Sequence, residues 1–205
     1  IKKGDKIAGT RVIPLVIHED KMKAAEEIGG DEPIFQVRPY EKKKVGIVTT
    51  GSEVFKGRIQ DTFTPVIREK IAEYGIEEAE HILCDDDHVK ITEAIMEMIA
   101  RGCNMVICTG GMSVDPDDRT PLAIKNTGAE IVTYGAPVLP GAMFMLAYYD
   151  SVIPVMGLPG CVMYAKRTIF DLVLPRIMTG EKLKAKDLNL LGQGGLCLSC
   201  PVCTF

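Results

Sequence analysis

The chain has 205 residues, 46% of them apolar, and a formal net charge of −4, which is enough to bury the core of one ordinary domain with an appendage. With no Trp, six Phe, six Tyr and no basic stripe, it lacks the surface that stacks bases or tracks a phosphate backbone, so nucleic acid is not an expected partner. No apolar run approaches the ~20 residues that cross a bilayer, and the opening Ile1-Lys2-Lys3-Gly4-Asp5 lacks the apolar centre of a secretory signal. A cytoplasmic protein without a membrane partner is expected. A first residue of Ile rather than Met suggests a processed chain or a piece of a longer one.

The predicted elements begin with a short strand over Arg11 to Ile17 and a charged helix over Glu19 to Ile28, closed by Gly29-Gly30. Residues 29 to 44 carry two prolines, a Gly pair and the run Glu41-Lys42-Lys43-Lys44, the composition of a connection. Residues 1–42 therefore read as an accessory or linker segment, 43–183 as the main domain and 184–205 as a tail. Within the main domain, Val45 to Thr49 reads as a buried strand, and Asp61 to Tyr74 as a helix with Phe63, Val66, Ile67, Ile71 and Tyr74 on one face. A strand at Glu80 to Cys84, a helix at Asp87 to Arg101 and a strand at Asn104 to Cys108 follow. Then come a helix at Thr120 to Asn126, an extended run at Glu130 to Ala136, a strand at Val152 to Met156, and a helix at Val162 to Leu174 before Pro175. Strands alternating with helices of this length imply an α/β fold with a mostly parallel sheet covered on both faces.

Three Gly-containing turns follow three of these strands: Thr49-Thr50-Gly51-Ser52, Thr109-Gly110-Gly111-Met112-Ser113 and Gly157-Leu158-Pro159-Gly160. Turns at the carboxyl ends of neighbouring parallel strands gather along one edge, where glycine lets backbone N–H groups approach an anion closely. Plain turn chemistry explains any one of them, and three in one alternating unit point to a phosphate site. Asp61, the run Asp85-Asp86-Asp87, and Asp115, Asp117 and Asp118 sit beside these turns. Helix capping accounts for Asp86 and Asp87. Two of the other carboxylates, together with phosphate oxygens and water, suit Mg²⁺. A P-loop lysine and a Gly-x-Gly-x-x-Gly turn are both missing, and His18, His81 and His88 read as isolated surface or packing residues.

Of seven cysteines, Cys84, Cys103 and Cys108 lie in or beside apolar segments, as small hydrophobes do. Cys197, Cys200 and Cys203 have a two-residue spacing that suits Zn²⁺ or an iron–sulfur cluster, or else they form a reduced tail beyond the Gly-rich stretch Gly192 to Gly195. The apolar segment Ala142 to Tyr149 reads either as a self-association surface or as a buried strand.

The ordered set Val45-Gly-Ile-Val-Thr-Thr-Gly-Ser-Glu53, Asp61, Gly75, Asp85-Asp86, Thr109-Gly-Gly-Met-Ser-Val114 with Asp118, Pro140-Gly141 and Gly157-Leu-Pro-Gly160 resembles a known family. That family is the molybdopterin-binding domain shared by molybdopterin adenylyltransferase (MogA type) and molybdopterin molybdotransferase (MoeA type), and the resemblance covers roughly residues 44 to 176. The resemblance implies a three-layer αβα domain, the pterin phosphate at the Thr109-Gly110-Gly111 turn, and catalytic support from Asp85 and Asp118 with Mg²⁺. It extends the substrate-binding set to Thr50, Gly51, Ser52, Asp61, Ser113, Asp117, Pro140, Gly141, Leu158, Pro159 and Gly160. ATP or molybdate is the implied co-substrate, and homo-oligomers are implied. The chain departs from the family at Ala142, where a basic residue is usual, at Cys161-Val162 in place of Asn-Pro, and at Phe63 in place of Asn. Each lost cation or amide removes roughly 1.5–3 kcal/mol of charge-assisted contact, which bears on turnover more than on binding. A hydrolase of the competence-damage-inducible type, acting on ADP-ribose or a pyridine nucleotide, shares the fold and similar turns. A non-catalytic module that senses the cofactor is a third reading.

Overall fold

The computed structural model describes residues 2–9, 11, 13–113, 115 and 118–194. The chain divides into two units, Ile1–Arg38 and Pro39–Phe205. In the first, α1 (Glu19–Gly29) carries a Glu19–Lys23 pair one turn apart and buries none of its side chains. The described residues between 11 and 17 form no strand, contrary to expectation. Pro14 removes a ladder donor from the middle of the run, and among the described residues no partner strand pairs with it.

The second unit is built on one six-stranded sheet in the order β2-β1-β3-β6-β5-β4. Its strands are β1 (Val45–Thr50), β2 (Ala79–Cys84), β3 (Met105–Thr109), β4 (Glu130–Tyr134), β5 (Met145–Tyr149) and β6 (Ile153–Leu158). β1 pairs in parallel with β2 and β3, and β3 with β6, while β5 runs antiparallel between β6 and β4. The alternation of β-structure sorts the core into two layers. Val45, Ile47, Met105, Ile107, Met156 and Leu158 face one side and pack against α3 (Phe63–Ala72) and α6 (Ile169–Met178). Val48, Val106, Cys108 and Val155 face the other and meet α4 (His88–Ala100) and α5 (Thr120–Asn126). This is a three-layer αβα arrangement. Each large side chain buried in it, such as Ile95 or Phe170, contributes about 1.5–3 kcal/mol over exposure.

The segment Ala142 to Tyr149 is the buried strand of its two readings, since β5 is enclosed by sheet neighbours on both sides. It joins β6 through a tight hairpin in which Asp150 and Ser151 both have positive φ, 48° and 61°, and Val152 N–H donates to Tyr149 O at 3.1 Å. The helix expected over Val162 to Leu174 forms later and runs further. A 3₁₀ turn occupies Gly160–Met163, and α6 begins where Thr168 and Asp171 form a reciprocal capping box. Pro175 lies inside α6 rather than ending it. An interior proline costs about 3 kcal/mol or more, and burial of Ile169, Phe170, Val173, Leu174, Ile177 and Met178 offsets it. The described residues of the unit also form two short helices, α2 (Ser52–Phe55) and α7 (Ala185–Asn189), and a 3₁₀ turn at Leu190–Gly192.

A buried ion pair ties the α3 and α6 layer together. Lys70 Nζ donates to Asp171 Oδ1 and Oδ2 at 2.7 and 2.9 Å and to Lys166 O at 2.9 Å, with both side chains less than a tenth exposed. Asp171 also accepts from Thr168 N at 2.7 Å, so the same carboxylate caps α6 and fixes it to α3.

Candidate functional site

The strand registers align the carboxyl ends of four parallel strands. Thr50 pairs with Cys84, Thr49 with Thr109, and Thr109 with Leu158. The turns that begin at Gly51, Asp85, Gly110 and Pro159 therefore emerge side by side. Because β5 is antiparallel and Met145 pairs with Gly157, the loop holding Pro140 and Gly141 opens onto the same edge. The chain leaves β1 toward β2 on one side and returns to β3 on the other, so the β1/β3 boundary is the topological switch point where α/β sheets place ligands.

At that boundary the packing is close. Gly110 has φ +88°, and a Cβ there would lie 2.3 Å from Thr50 O and 2.6 Å from Thr50 Oγ1. Only glycine lets the β3 turn lie against the end of β1 in this way. Gly111 follows with φ +54°, and Thr120 Oγ1 at the start of α5 donates to Gly110 O at 2.7 Å. Met112 is buried against Gly157 and Ile124, which seats the turn on β6 and α5. Ser113 O accepts from Tyr134 Oη at 3.3 Å. Thr50 Oγ1 is buried and has no hydrogen-bond partner among the described residues. An unpaired buried hydroxyl of this kind costs about 1–3 kcal/mol, which a hydrogen-bonding ligand or water would recover.

The acids divide by role. Asp85 Oδ1 accepts a short bond from Ser52 Oγ and another from Asp86 N at 3.0 Å, and these hold its carboxyl below the usual carboxylate range. Asp86 does not cap α4 as expected; its Oδ2 accepts from Ser52 N at 2.9 Å. Both carboxylates therefore hold the Gly51-Ser52 turn, because the end of β2 lies beside the end of β1. Asp87 is the cap, accepting from Val89 N at 2.8 Å and Lys90 N at 3.2 Å. Asp118 closes its own turn, with Asp115 N donating to its Oδ2 at 3.3 Å and Asp118 N to Asp115 O at 3.0 Å. Asp117 lies outside the described residues, as do Cys197, Cys200 and Cys203. Among the described residues no group of three or more His, Cys, Asp and Glu side chains converges on a metal position.

Asp61 sits at the start of α3, where its Oδ1 accepts from Phe63 N at 2.9 Å and Thr64 N at 3.0 Å, and its Oδ2 takes a short bond from Thr64 Oγ1. The network continues inward. Thr49 Oγ1 lies 3.0 Å from Thr64 Oγ1, Thr109 Oγ1 donates to Thr49 Oγ1 at 3.3 Å, and His81 Nε2 lies 3.1 Å from both Thr49 and Thr64. Burial holds His81 below its ordinary pKa against the attraction of Asp61. The sequence did not separate His81 from a packing residue, because nothing in Glu80-His81-Ile82 reveals the hydroxyls that other strands bring to it. Leu158 ends β6 in the core, and Gly160 faces Phe63 at the start of α3. Leu139-Pro140 is a cis peptide; Pro140 O accepts from Ile169 N at 3.2 Å, and Gly141 packs on Ile169. Cys84 is buried beside these turns, its thiol pushed up to about 11 by burial, with Asp86 and Asp85 adding to the shift. A cavity of about 150 Å³ lined by Lys43, Tyr148, Pro154 and Ile177 lies at the opposite end of the sheet. The carboxyl edge is marked by its glycine turns and its acids.

The sequence profile of the family described as a probable molybdopterin binding domain matches residues 46–179, more than half of the chain. The chain belongs to that family. Among solved structures it is similar to the molybdopterin biosynthesis enzyme MoaB of Thermus thermophilus, with 22% identity, a TM-score of 0.51, and coverage of 70% of this chain and 100% of that one. It is also similar to the tungsten cofactor synthesizing protein MoaB of Pyrococcus furiosus, with 18% identity, a TM-score of 0.54, and coverage of 70% and 99%. At these identities the likeness establishes the fold of the molybdopterin-binding domain. Among curated proteins it is similar to CinA-like proteins of Mycobacterium sp. (strain MCS), 32% identical over 90 residues, and of Mycobacterium tuberculosis H37Rv, 33% identical over 90 residues. Each match covers 43% of this chain and 21% of the relative, so the matched region spans about a fifth of those proteins' length. Among the described residues no helix is long and apolar enough to cross a membrane.

Proposed function

We propose that this domain binds molybdopterin through its phosphate at the Thr109-Gly110-Gly111 turn, in a cytoplasmic step of molybdenum cofactor synthesis or handling. The observation that carries this reading is the unpartnered Thr50 hydroxyl beneath Gly110 at the switch point. The turn's backbone N–H groups cradle the phosphate, and the end of β1 at Thr50 and the Gly51-Ser52 turn border it. Ser113, Asp61, the Pro140-Gly141 and Leu158-Pro159-Gly160 loops and, by its place in the sequence, Asp117 border the pterin. Asp85 and Asp118, with phosphate oxygens and water, would hold Mg²⁺, which takes one or two carboxylates and keeps several waters and would neutralise phosphate charge during transfer. With Ala142, Cys161 and Phe63 at positions where the resemblance implies a cation and amides, pterin binding is the firmer part of this reading. Adenylylation by ATP or insertion of molybdate is the finer part.

Anaerobic isothermal titration with molybdopterin, paired with mass spectrometry of copurified pterin, tests the binding. Micromolar or tighter affinity is expected, and a folded protein without pterin affinity overturns the proposal. Asp118→Asn is expected to remove Mg²⁺-dependent turnover with the fold intact, and Asp86→Asn to do less. Light scattering on the same preparations tests self-association. A second reading, hydrolysis of ADP-ribose or a pyridine nucleotide, is supported by the similarity to the CinA-like proteins. An ADP-ribose hydrolysis assay separates the two.

A further inference from the structure

The polar layer beneath the glycine turns can be resolved hydrogen by hydrogen. With Asp61 ionised, the Thr64 hydroxyl hydrogen is committed to Asp61 Oδ2. Thr109 donates to Thr49. The 3.0 Å contact between Thr49 and Thr64 is then satisfied only if Thr49 donates. Both hydroxyls that face His81 Nε2 at 3.1 Å have now spent their hydrogens, so Nε2 must carry one. The opposite tautomer would set an Nε2 lone pair against Thr64 Oγ1 and, at 3.5 Å, against Asp61 Oδ2. In the Nε2–H tautomer every hydrogen runs one way, from Thr109 at the start of the glycine turn, through Thr49 and Thr64, to the Asp61 carboxylate.

We propose that His81 is a positioning residue for the anion turn: its Nε2–H and the Asp61 carboxylate together align the hydroxyls that hold Thr109, and its charge tunes the turn's affinity for the pterin phosphate. The coupling rests on the function proposed above. Thr49, Thr64 and Thr109 have donated their hydroxyl hydrogens within the network, unlike Thr50, so they act through the backbone they hold and not by touching the ligand. The charged groups acting on His81 are Asp61 and Arg68, both from the α3 segment, while β1 contributes Thr49 and Ile47. Arg68 is engaged with Ala79 O at 3.0 Å. Protonating His81 therefore gives Asp61 a cationic partner 3.5 Å away and offsets the negative charge behind the turn. An anion should bind the protonated form more tightly, and by reciprocity the bound anion should make His81 easier to protonate.

The test is NMR of the full chain labelled at histidine nitrogen, with His81→Gln to assign the signal, in the free protein and with molybdopterin under anaerobic conditions. The free protein is expected to hold His81 as the Nε2–H tautomer. Added molybdopterin should raise its titration midpoint, and the affinity of the wild type should gain about 5-fold, at the low end of ordinary couplings, as pH falls through that midpoint. His81→Gln keeps a donor at the network and should retain the high-pH affinity while losing that gain; subtracting its profile also removes the titration of the ligand's own phosphate. His81→Leu, which cannot donate, should bind more weakly at every pH. An Nδ1–H tautomer, or tight binding with an unmoved His81 midpoint, overturns the inference and leaves the proposed function standing. No molybdopterin binding at any pH overturns both, and the tautomer of the free protein then reports on the network alone.

Discussion

In a Gly110→Ala variant the new methyl would lie 2.3 Å from Thr50 O and 2.6 Å from Thr50 Oγ1, far inside van der Waals contact. The first of these is a strand carbonyl, which cannot swing aside as a long side chain would. The backbone at φ +88° adds conformational strain of about 1–3 kcal/mol for a non-glycine residue. Overpacking adds about 1–3 kcal/mol as the turn lifts from β1. The expected destabilisation is about 4 kcal/mol, a fall in Tm of about 8–16 °C for a chain of this size. Gly111→Ala is the internal control. Its φ of +54° is an ordinary left-handed value, and its methyl would meet Thr120 Oγ1 at 3.1 Å and lie in ordinary contact with Arg119 N at 3.4 Å and Thr120 N at 3.6 Å, so about 1–2 kcal/mol is expected. Thermal unfolding by circular dichroism reads the difference, and molybdopterin titration at a temperature where both variants are folded reads the site. Gly110→Ala should lose binding, because lifting the turn moves its N–H groups. Equal Tm losses in the two variants, or full affinity in Gly110→Ala, would refute the close approach of β3 to β1 as the basis of the site.

Lys70→Met leaves the buried Asp171 with Thr168 N, Thr168 Oγ1 and Arg167 as partners, so a loss near the lower end for a broken buried pair, about 3 kcal/mol, is expected; an unchanged Tm would mean the pair is solvated. Ser52→Ala removes the first cause of the low Asp85 titration, so NMR should find the Asp85 midpoint moved up toward 3.8. Because that group is depressed in the folded chain, its contribution to stability is present above pH 3.8 and is lost as pH falls through the folded value, and Ser52→Ala should flatten this acid limb. Burial holds the Cys84 pKa near 11, so peptide-level mass spectrometry should find it unalkylated by iodoacetamide at pH 8 in the native protein; rapid labelling would contradict the packing of β2 against α4.

Much of the architecture was legible because the signals were local. The apolar faces of α3 and α4, the glycine after β1 and the paired glycines after β3 each report on their own neighbourhood, and their alternation implies parallel crossover. The wrong and the open readings came where distant residues decide. Pro175 reads as a stop until the burial of both flanks of α6 is known. The apolar run at β5 reads as a surface or a core strand until its neighbours in the sheet are known. Asp86 reads as a cap until β2 is placed beside β1 and its carboxylate meets Ser52 N. The segment from Arg11 to Ile17 has strand composition, yet its described residues form no strand, since composition supplies propensity but not a partner.

The same distinction bears on where function lies in this fold. Ile47 and Ile107, deeper on the α3 side of β1 and β3, are fully buried and apolar. Two residues further toward the carboxyl edge, Thr49 and Thr109 are just as buried yet carry hydroxyls, and Thr50 carries one with no partner among the described residues. Valine would fill a threonine position with nearly the same shape and no polar atom to satisfy, so burial alone gives no reason for three threonines here. A polar layer of this kind is costly wherever it is incompletely paired and rigid wherever it is complete. Here the complete part, from Thr109 to Asp61, underlies β1, β3 and the start of α3, and the incomplete part lies directly under Gly110. The strand ends are thus fixed from below while the unsatisfied Thr50 hydroxyl is left at the switch point, the position from which a bound phosphate or its water could complete it.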